Sequence, residues 1–356
     1  MSMTDKAALT PSSWRMRMSR RDMIRGSLAA GLAAGLPMPL AVPALANSAK
    51  KVTLKFGYTS TPTNPVSIGY EAFAHALKEK SNGEVAVTTF CCNQLGNDQE
   101  LVQSVQTGAI QMGTSSNNNL DQFTSKMMVL ELPYLLRSRT AYRKFWKTAS
   151  DDIRKEFETK LGLKILMVMD AAGFRSIETA SHDIHTPGDL KGIKLRAANT
   201  PIELATFKAW GANPVPLPYN QVFTAMQQGT VDGEILQPVW YYTDKHYEVA
   251  KKVCDIRYIM LSHIGFINLS FFNSQPKDVQ DVILAAAASA EDHEWAEAGK
   301  QSDQARAKLK AMPDIGWYEP AGADLAKWQD SSRPIWDQFA DRIGADLIKR
   351  VDALNV

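Results

Sequence analysis

From Val52 onward, apolar and polar positions fall into short blocks whose period switches between two and 3.6. Val52–Tyr58 alternates and predicts a strand. The turn-rich stretch Thr59–Pro65 leads into a helical pattern over Val66–Ser81, ended by Gly83. Val85–Phe90 predicts a second strand, Asp98–Thr107 a helix, and Ile110–Gly113 a short third strand. This β-α-β-α-β order predicts an α/β fold, a parallel sheet with helices on both faces. Ligand-binding residues in such sheets lie in the loops after strand C-termini. That rule directs attention to Thr59–Asn64 and Thr114–Asn119.

A second set follows. Leu163–Met169 predicts a strand, continued by Gly173–Ile177. Ile193–Arg196 is a short strand after the turn Pro187–Gly192. Pro201–Trp210 is helical, Pro214–Leu217 extended, Tyr219–Gln228 helical up to Gly229, and Val231–Ile235 a strand. The tail is helical. With Asn273-Ser274 as cap and Pro276 at the start, one pattern runs to about Met312, long enough to serve as a strut across more than one domain. Ala285–Ala288 makes its middle slim, and Gly299 lies inside it. Amphipathic helices near Ala321–Asp341 and Ala345–Leu354 finish the chain.

The first 46 residues read as an export leader. Six basic residues there face two acidic ones, ending in Ser19-Arg20-Arg21-Asp22-Met23-Ile24-Arg25. An Ala- and Gly-rich stretch from Gly26 to Leu45 follows and closes on Ala44-Leu45-Ala46, a small-x-small pattern for cleavage after Ala46. The paired arginines are similar to a twin-arginine signal. Pro37, Pro39 and Pro43 interrupt the stretch and argue against a spanning anchor. The mature chain from Asn47 keeps 34 basic and 36 acidic residues, so the whole-chain charge of +2 belongs to the leader. A slightly acidic body argues against a nucleic-acid partner. With 45% hydrophobic and 22% charged residues in 356, the composition is that of a globular protein of about two domains.

Catalytic chemistry is not evident. The chain has no Gly-x-Ser-x-Gly, Walker loop or Gly-x-Gly-x-x-Gly, so no cofactor is expected. Cys91, Cys92 and Cys254 are an odd number without a Cys-x-x-Cys; adjacent Cys91 and Cys92 read as ordinary thiols in preference to a strained vicinal bridge. His182 and His185 have metal-ligand spacing but sit in a polar loop without acidic neighbours in a cluster, so no metal is expected. Arg175 and Arg196 each end a strand where a side chain is delivered toward a cleft. A guanidinium matches a carboxylate in two-pronged geometry, but a structural salt bridge is an equal reading of either. Trp240, with Tyr241 and Tyr242, either lines a pocket or belongs to the core. Glu234 and Gln237, at a strand end, either hold polar ligand groups or bond a neighbouring loop.

A series of ordered motifs narrows these alternatives: Asn93-Gln94-Leu95-Gly96-Asn97-Asp98-Gln99-Glu100, Leu132-Pro133-Tyr134, Thr186–Arg196, Gly211–Pro216, Ala225–Gly233 and Tyr247–Val253. In this order and spacing, over Val52–His263, the chain resembles the extracytoplasmic solute-binding protein of tripartite ATP-independent periplasmic (TRAP) transporters. The resemblance implies a two-lobed periplasmic binding protein fold, with a ligand cleft between the lobes and a long lobe-spanning helix. It implies residues 47–172 plus about 263–300 in lobe I, and 173–262 plus about 301–356 in lobe II. Crossings near Ala172-Gly173 and Ser262-His263 are the expected hinge. It also implies binding of a small organic acid and delivery to the integral membrane subunits by a periplasmic protein, expected to be a monomer and not an enzyme.

For the site, the resemblance implies that Arg196 salt-bridges the ligand carboxylate, with Arg175 assisting. Tyr219 matches a pocket aromatic, and Thr59, Asn64, Ser116 and Asn117 are the expected polar contacts. After Val231-Asp232-Gly233, Glu234-Ile235-Leu236-Gln237-Pro238 replaces the family's usual Glu-Asn-Pro or Glu-Trp, which leaves the identity of the acid open. An exported enzyme acting on a small carboxylate and a sensor-input binding protein are the competing readings.

Overall fold

The computed structural model describes Lys51–Asn355; the leader assigned to residues 1–46, with its cleavage position, lies outside the described residues. In chain order, β1 (Val52–Gly57), α1 (Pro65–Lys80), β2 (Val85–Phe90), α2 (Asp98–Gln106) and β3 (Met112–Ser116) open the first lobe. Two 3₁₀ turns, Asn117–Leu120 and Ser125–Glu131, lead to α3 (Arg139–Thr148) and α4 (Asp151–Glu156). β4 (Leu163–Phe174) then carries the chain to the second lobe. There follow β5 (Ser176–Thr179), β6 (Lys194–Ala197), α5 (Pro201–Ala209), β7 (Asn213–Pro216), α6 (Val222–Gln227), β8 (Gly233–Leu236), α7 (Pro238–Thr243) and β9 (Lys252–Cys254). β10 (Met260–Asn268) returns, and α8 (Leu269–Asn273), α9 (Lys277–Lys310), β11 (Gly316–Tyr318), α10 (Gly322–Ile343) and α11 (Ala345–Asp352) complete the chain.

The first sheet has the order β2-β1-β3-β10-β4 and the second β11-β9-β5-β8-β6-β7. β1 pairs parallel with β2 and β3, as the β-α-β-α-β order predicts. Neither sheet is purely parallel, however. β10 inserts antiparallel between β3 and β4, and β5 is antiparallel to β8 and β9. The reason is the two-lobe crossing: β4 leaves the first lobe and β10 re-enters it, so they run in opposite directions.

Local chemistry sets the element ends. Asn64 caps α1 through its side chain, with Pro65 in the first turn. Asn97 and Glu100 form a reciprocal capping box at the start of α2. The long helix is not capped by Asn273-Ser274 as expected; those residues end α8, and α9 begins after Pro276 without a side-chain cap. α9 spans the lobes as one continuous 34-residue helix. Its small residues Ala286, Ala287 and Ala290 are buried, and Gly69 of α1 lets the two helices approach, since a Cβ there would lie 2.9 Å from Glu294 Cγ. Gly299 makes room for a side chain: a Cβ would collide with the Arg139 guanidinium, which donates to Trp295 O and pairs with Asp170.

At the crossing, Ala172 (φ 64°) and Gly173 (φ 103°) take positive φ, and a Cβ on Gly173 would lie 2.8 Å from Ser302 Oγ of α9. The end of the chain differs from its expected assignment to lobe II. α10 starts there, with the Trp328 indole donating to His185 O. Its second half and α11 (Ile335, Phe339, Ile343, Leu347, Val351) pack into the core built by Met127, Tyr142 and Phe145 of the first lobe. Arg137–Asp352 and Arg350–Asp152 ion pairs tie α11 there. An amphipathic pattern marks a buried face but not the lobe it meets.

Candidate functional site

Between the lobes lies a cleft of two adjoining hollows, about 270 Å³ and about 50 Å³, which share Thr59, Asp98, Asn119, Arg196, Ala198 and Tyr219 as walls. The outer hollow is completed by Asn93, Asn97, Gln99, Asn199, Pro216–Pro218 and Asn220. The inner one is completed by Ser116, Asn118, Arg175, Leu236, Gln237, Trp240, Leu261 and His263. First-lobe walls come from the ends of β1 and β3 and the start of α2, second-lobe walls from the ends of β6, β7 and β8. This is the strand C-terminal edge where such sheets bind ligands.

Arg196 is the third residue of β6, which pairs with β7 on one side and β8 on the other. The side chain is only 6% exposed. Nε and Nη2 both donate to Leu217 O, at 3.0 and 2.9 Å. No carboxylate among the described residues forms an ion pair with it. Burial therefore works against its charge and draws its pKa below the ordinary value, with Glu203 only partly opposing this and Arg175 adding to it. A buried cation without an anionic partner is costly by itself.

Arg175 differs. It is 1% exposed and fully engaged: Nη1 pairs with Glu203 Oε1 at 3.1 Å and donates to Tyr258 Oη at 3.2 Å, while Nε and Nη2 donate to Ile235 O. Burial opposes its charge, but Glu203, Tyr258 and Glu178 together outweigh burial and raise its pKa. Arg175 lines the inner hollow, yet its fork is spent on protein. Asn118 Nδ2 also donates to Glu203, at 3.1 Å, so this ion pair links the wall of one lobe to the wall of the other.

Among the expected contacts, Thr59, Ser116, Tyr219, Gln237 and Trp240 line the cleft. Tyr219 donates to Asp244 Oδ2 at 2.5 Å and meets Trp240 edge-on; burial and then Asp244 hold its hydroxyl far above the usual range. Trp240 donates to Ala171 O at 3.1 Å and stacks on His263. Three expected residues are elsewhere. Asn64 is buried as the cap of α1, its Oδ1 accepting from Val66 N. Asn117 accepts from Ser262 N at 2.8 Å and fastens the 3₁₀ turn to β10. Glu234 turns to His246, 2.7 Å from Nδ1. The cleft residues that sequence reasoning missed include Asp98, Asn118, Asn119 and His263. Asp98 looked like an acidic first-turn residue, and Asn118 and Asn119 are the neighbours of the residue chosen from their turn.

No group of three or more His, Cys, Asp or Glu side chains among the described residues could hold a metal ion. Cys91, Cys92 and Cys254 are free, and no described helix is long and apolar enough to cross a membrane.

Comparison with known proteins gives this geometry a family. The family described as bacterial extracellular solute-binding protein, family 7, matches residues 56–342. The 2,3-diketo-L-gulonate-binding periplasmic protein of Escherichia coli is 29% identical, over 85% of this chain and 92% of its own. The C4-dicarboxylate-binding periplasmic protein of Rhodobacter capsulatus is also 29% identical, over 90% and 95%. A TRAP periplasmic solute-binding protein from Sulfurospirillum deleyianum, solved with bound succinate, superimposes with a TM-score of 0.80 at 29% identity, covering 85% of this chain and 99% of that one. The sugar acid binding protein of Advenella mimigardefordensis, solved with galactonate, gives 0.82 at 25%, covering 86% and 98%. All four are binding proteins, one of them a TRAP periplasmic solute-binding protein, which overturns the reading of an exported enzyme. The chain belongs to family 7 of the bacterial extracellular solute-binding proteins, the extracytoplasmic binding proteins of TRAP transporters.

Proposed function

We propose that this protein captures an organic acid by docking its carboxylate on Arg196, and hands it to the membrane subunits of a TRAP transporter. The observation that carries the reading is the buried Arg196, which lines both hollows and has no acidic partner among the described residues. A ligand carboxylate supplies the missing charge and accepts from the guanidinium. Arg175 supports the wall through Glu203. The C4-dicarboxylate, sugar-acid and diketo-acid ligands named for the relatives all carry a carboxylate. We further propose that the protein works as a monomer, and that it is exported by the twin-arginine route, the latter on the strength of Arg20-Arg21 and the Ala44-Leu45-Ala46 motif.

The test uses the mature protein and an organic-acid library. A ligand at 100 times its Kd stabilises by about 2.7 kcal/mol, visible as a thermal shift. Each hit is then titrated calorimetrically beside its methyl ester. Loss of the charge should weaken binding roughly 30- to 5,000-fold, the equivalent of about 2–5 kcal/mol for a buried charge pair. Equal affinity for acid and ester contradicts the proposal.

A further inference from the structure

The charges on the two cleft walls define more than a carboxylate site. Arg196 is the cation of the second-lobe wall. Asp98, the first residue of α2, is the anion of the first-lobe wall, and it lines both hollows with Arg196. The two do not pair with each other, and no cation among the described residues forms an ion pair with Asp98. Its carboxylate is held by neutral donors alone: Asn119 Nδ2 at 2.6 Å, Thr59 Oγ1 at 3.2 Å and Ser116 Oγ at 3.5 Å. Arg175 is committed to Glu203. The cleft therefore offers one positive charge without an anionic partner, and a negative one without a cationic partner across from it.

We infer that the ligand is a hydroxylated monocarboxylate, and that Asp98 selects for its hydroxyl donors and against a second carboxylate. This rests on the docking of a carboxylate at Arg196. A dicarboxylate seated there brings its other charge toward Asp98 with no free cation to receive it, and like charges in a partly desolvated cleft repel. A hydroxyl instead donates to Asp98 and accepts from its neighbours. The remaining polar wall suits the same chemistry. Asn93, Gln99, Asn199 and Asn220 carry amides that both donate and accept, as hydroxyls do. In the inner hollow, His263 Nδ1 is buried without a hydrogen-bond partner. Burial lowers the pKa of that ring, which leaves it a neutral partner for a ligand hydroxyl.

The experiment is calorimetry on the mature protein with three sets of acids: galactonate, glucuronate and erythronate; succinate and fumarate; and unhydroxylated hexanoate. At least one hydroxylated monoacid should bind tenfold or more tighter than every diacid and than hexanoate. Asp98→Asn should weaken that monoacid about 10- to 100-fold, as expected for hydrogen bonds to a charged group, and should narrow its advantage over succinate. Asp98→Glu, which keeps the charge, should preserve the order of preference. A diacid that binds as tightly as the best monoacid overturns the inference while leaving carboxylate docking intact. So does an unchanged ratio in a folded Asp98→Asn variant. If no acid of any set binds, docking at Arg196 itself fails. The wild-type ratio decides the matter even if Asp98→Asn does not fold.

Discussion

Removing the Glu203 carboxylate separates the roles of the two cleft arginines. Glu203 and Arg175 side chains are 3% and 2% exposed, paired at 3.1 Å. Glu203→Ala strands the Arg175 charge in a buried site and also takes the acceptor from Asn118. Breaking a buried pair on one side costs about 3–5 kcal/mol. Unfolding entropy of about 2.1 cal/mol/K per residue gives about 0.6 kcal/mol/K for a chain of about 300 residues, so Tm should fall by roughly 5–8 °C. Arg175→Met with Glu203→Leu removes both charges and should recover much of that loss. The assay is thermal unfolding with and without a saturating organic acid. The ligand-induced rise in Tm should persist in Glu203→Ala, because the carboxylate docks on Arg196 and the freed Arg175 adds positive charge to the same wall. A Tm within about 2 °C of wild type would refute the structural role of the pair, and loss of the ligand shift in a folded variant would refute its separation from binding.

The remaining predictions concern pH and motion. Burial disfavours a charged His246, but Glu234, by charge and hydrogen bond, and Asp244 together outweigh it and raise the pKa above 6.5. The folded-state value is the higher one, so the stabilisation is complete below pH 6.5 and is lost as pH rises through the folded value; the Tm deficit of His246→Gln should shrink over that interval. Gly173→Ala places a side chain at φ 103°, 2.8 Å from Ser302 Oγ, and should cost about 1–3 kcal/mol in denaturant unfolding. A bound acid that contacts both walls favours lobe closure, so small-angle scattering should show a smaller radius of gyration on binding; an unchanged profile with a calorimetrically confirmed ligand would contradict that.

Much of the fold was legible because each element has its own period or punctuation. β1, α1, β2 and α2 appear within a residue or two of the pattern, and the long strut is visible as an uninterrupted helical run before Met312. Sheet direction was not, since the position of β10 between β3 and β4 depends on where the chain re-crosses, and no local pattern encodes that. The site shows the same division. Strand ends point to loops that line the cleft, and Arg196 stands out as a cation late in a short strand. Which of three consecutive asparagines faces the cleft is set by the 3₁₀ turn at Asn117–Leu120, and Asn117 itself is drawn to Ser262. Asn64 is taken by the helix it caps, and Glu234 by His246, a partner twelve residues away.

The central claim is that Arg196 supplies the charge that holds the ligand. Calorimetric titration of Arg196→Ala and Arg196→Lys with the acid that binds wild type tests it most directly. Arg196→Ala should weaken binding roughly 30- to 5,000-fold, and Arg196→Lys should not restore it, because an ammonium lacks the planar fork. Wild-type affinity in a folded Arg196→Ala protein would contradict the account.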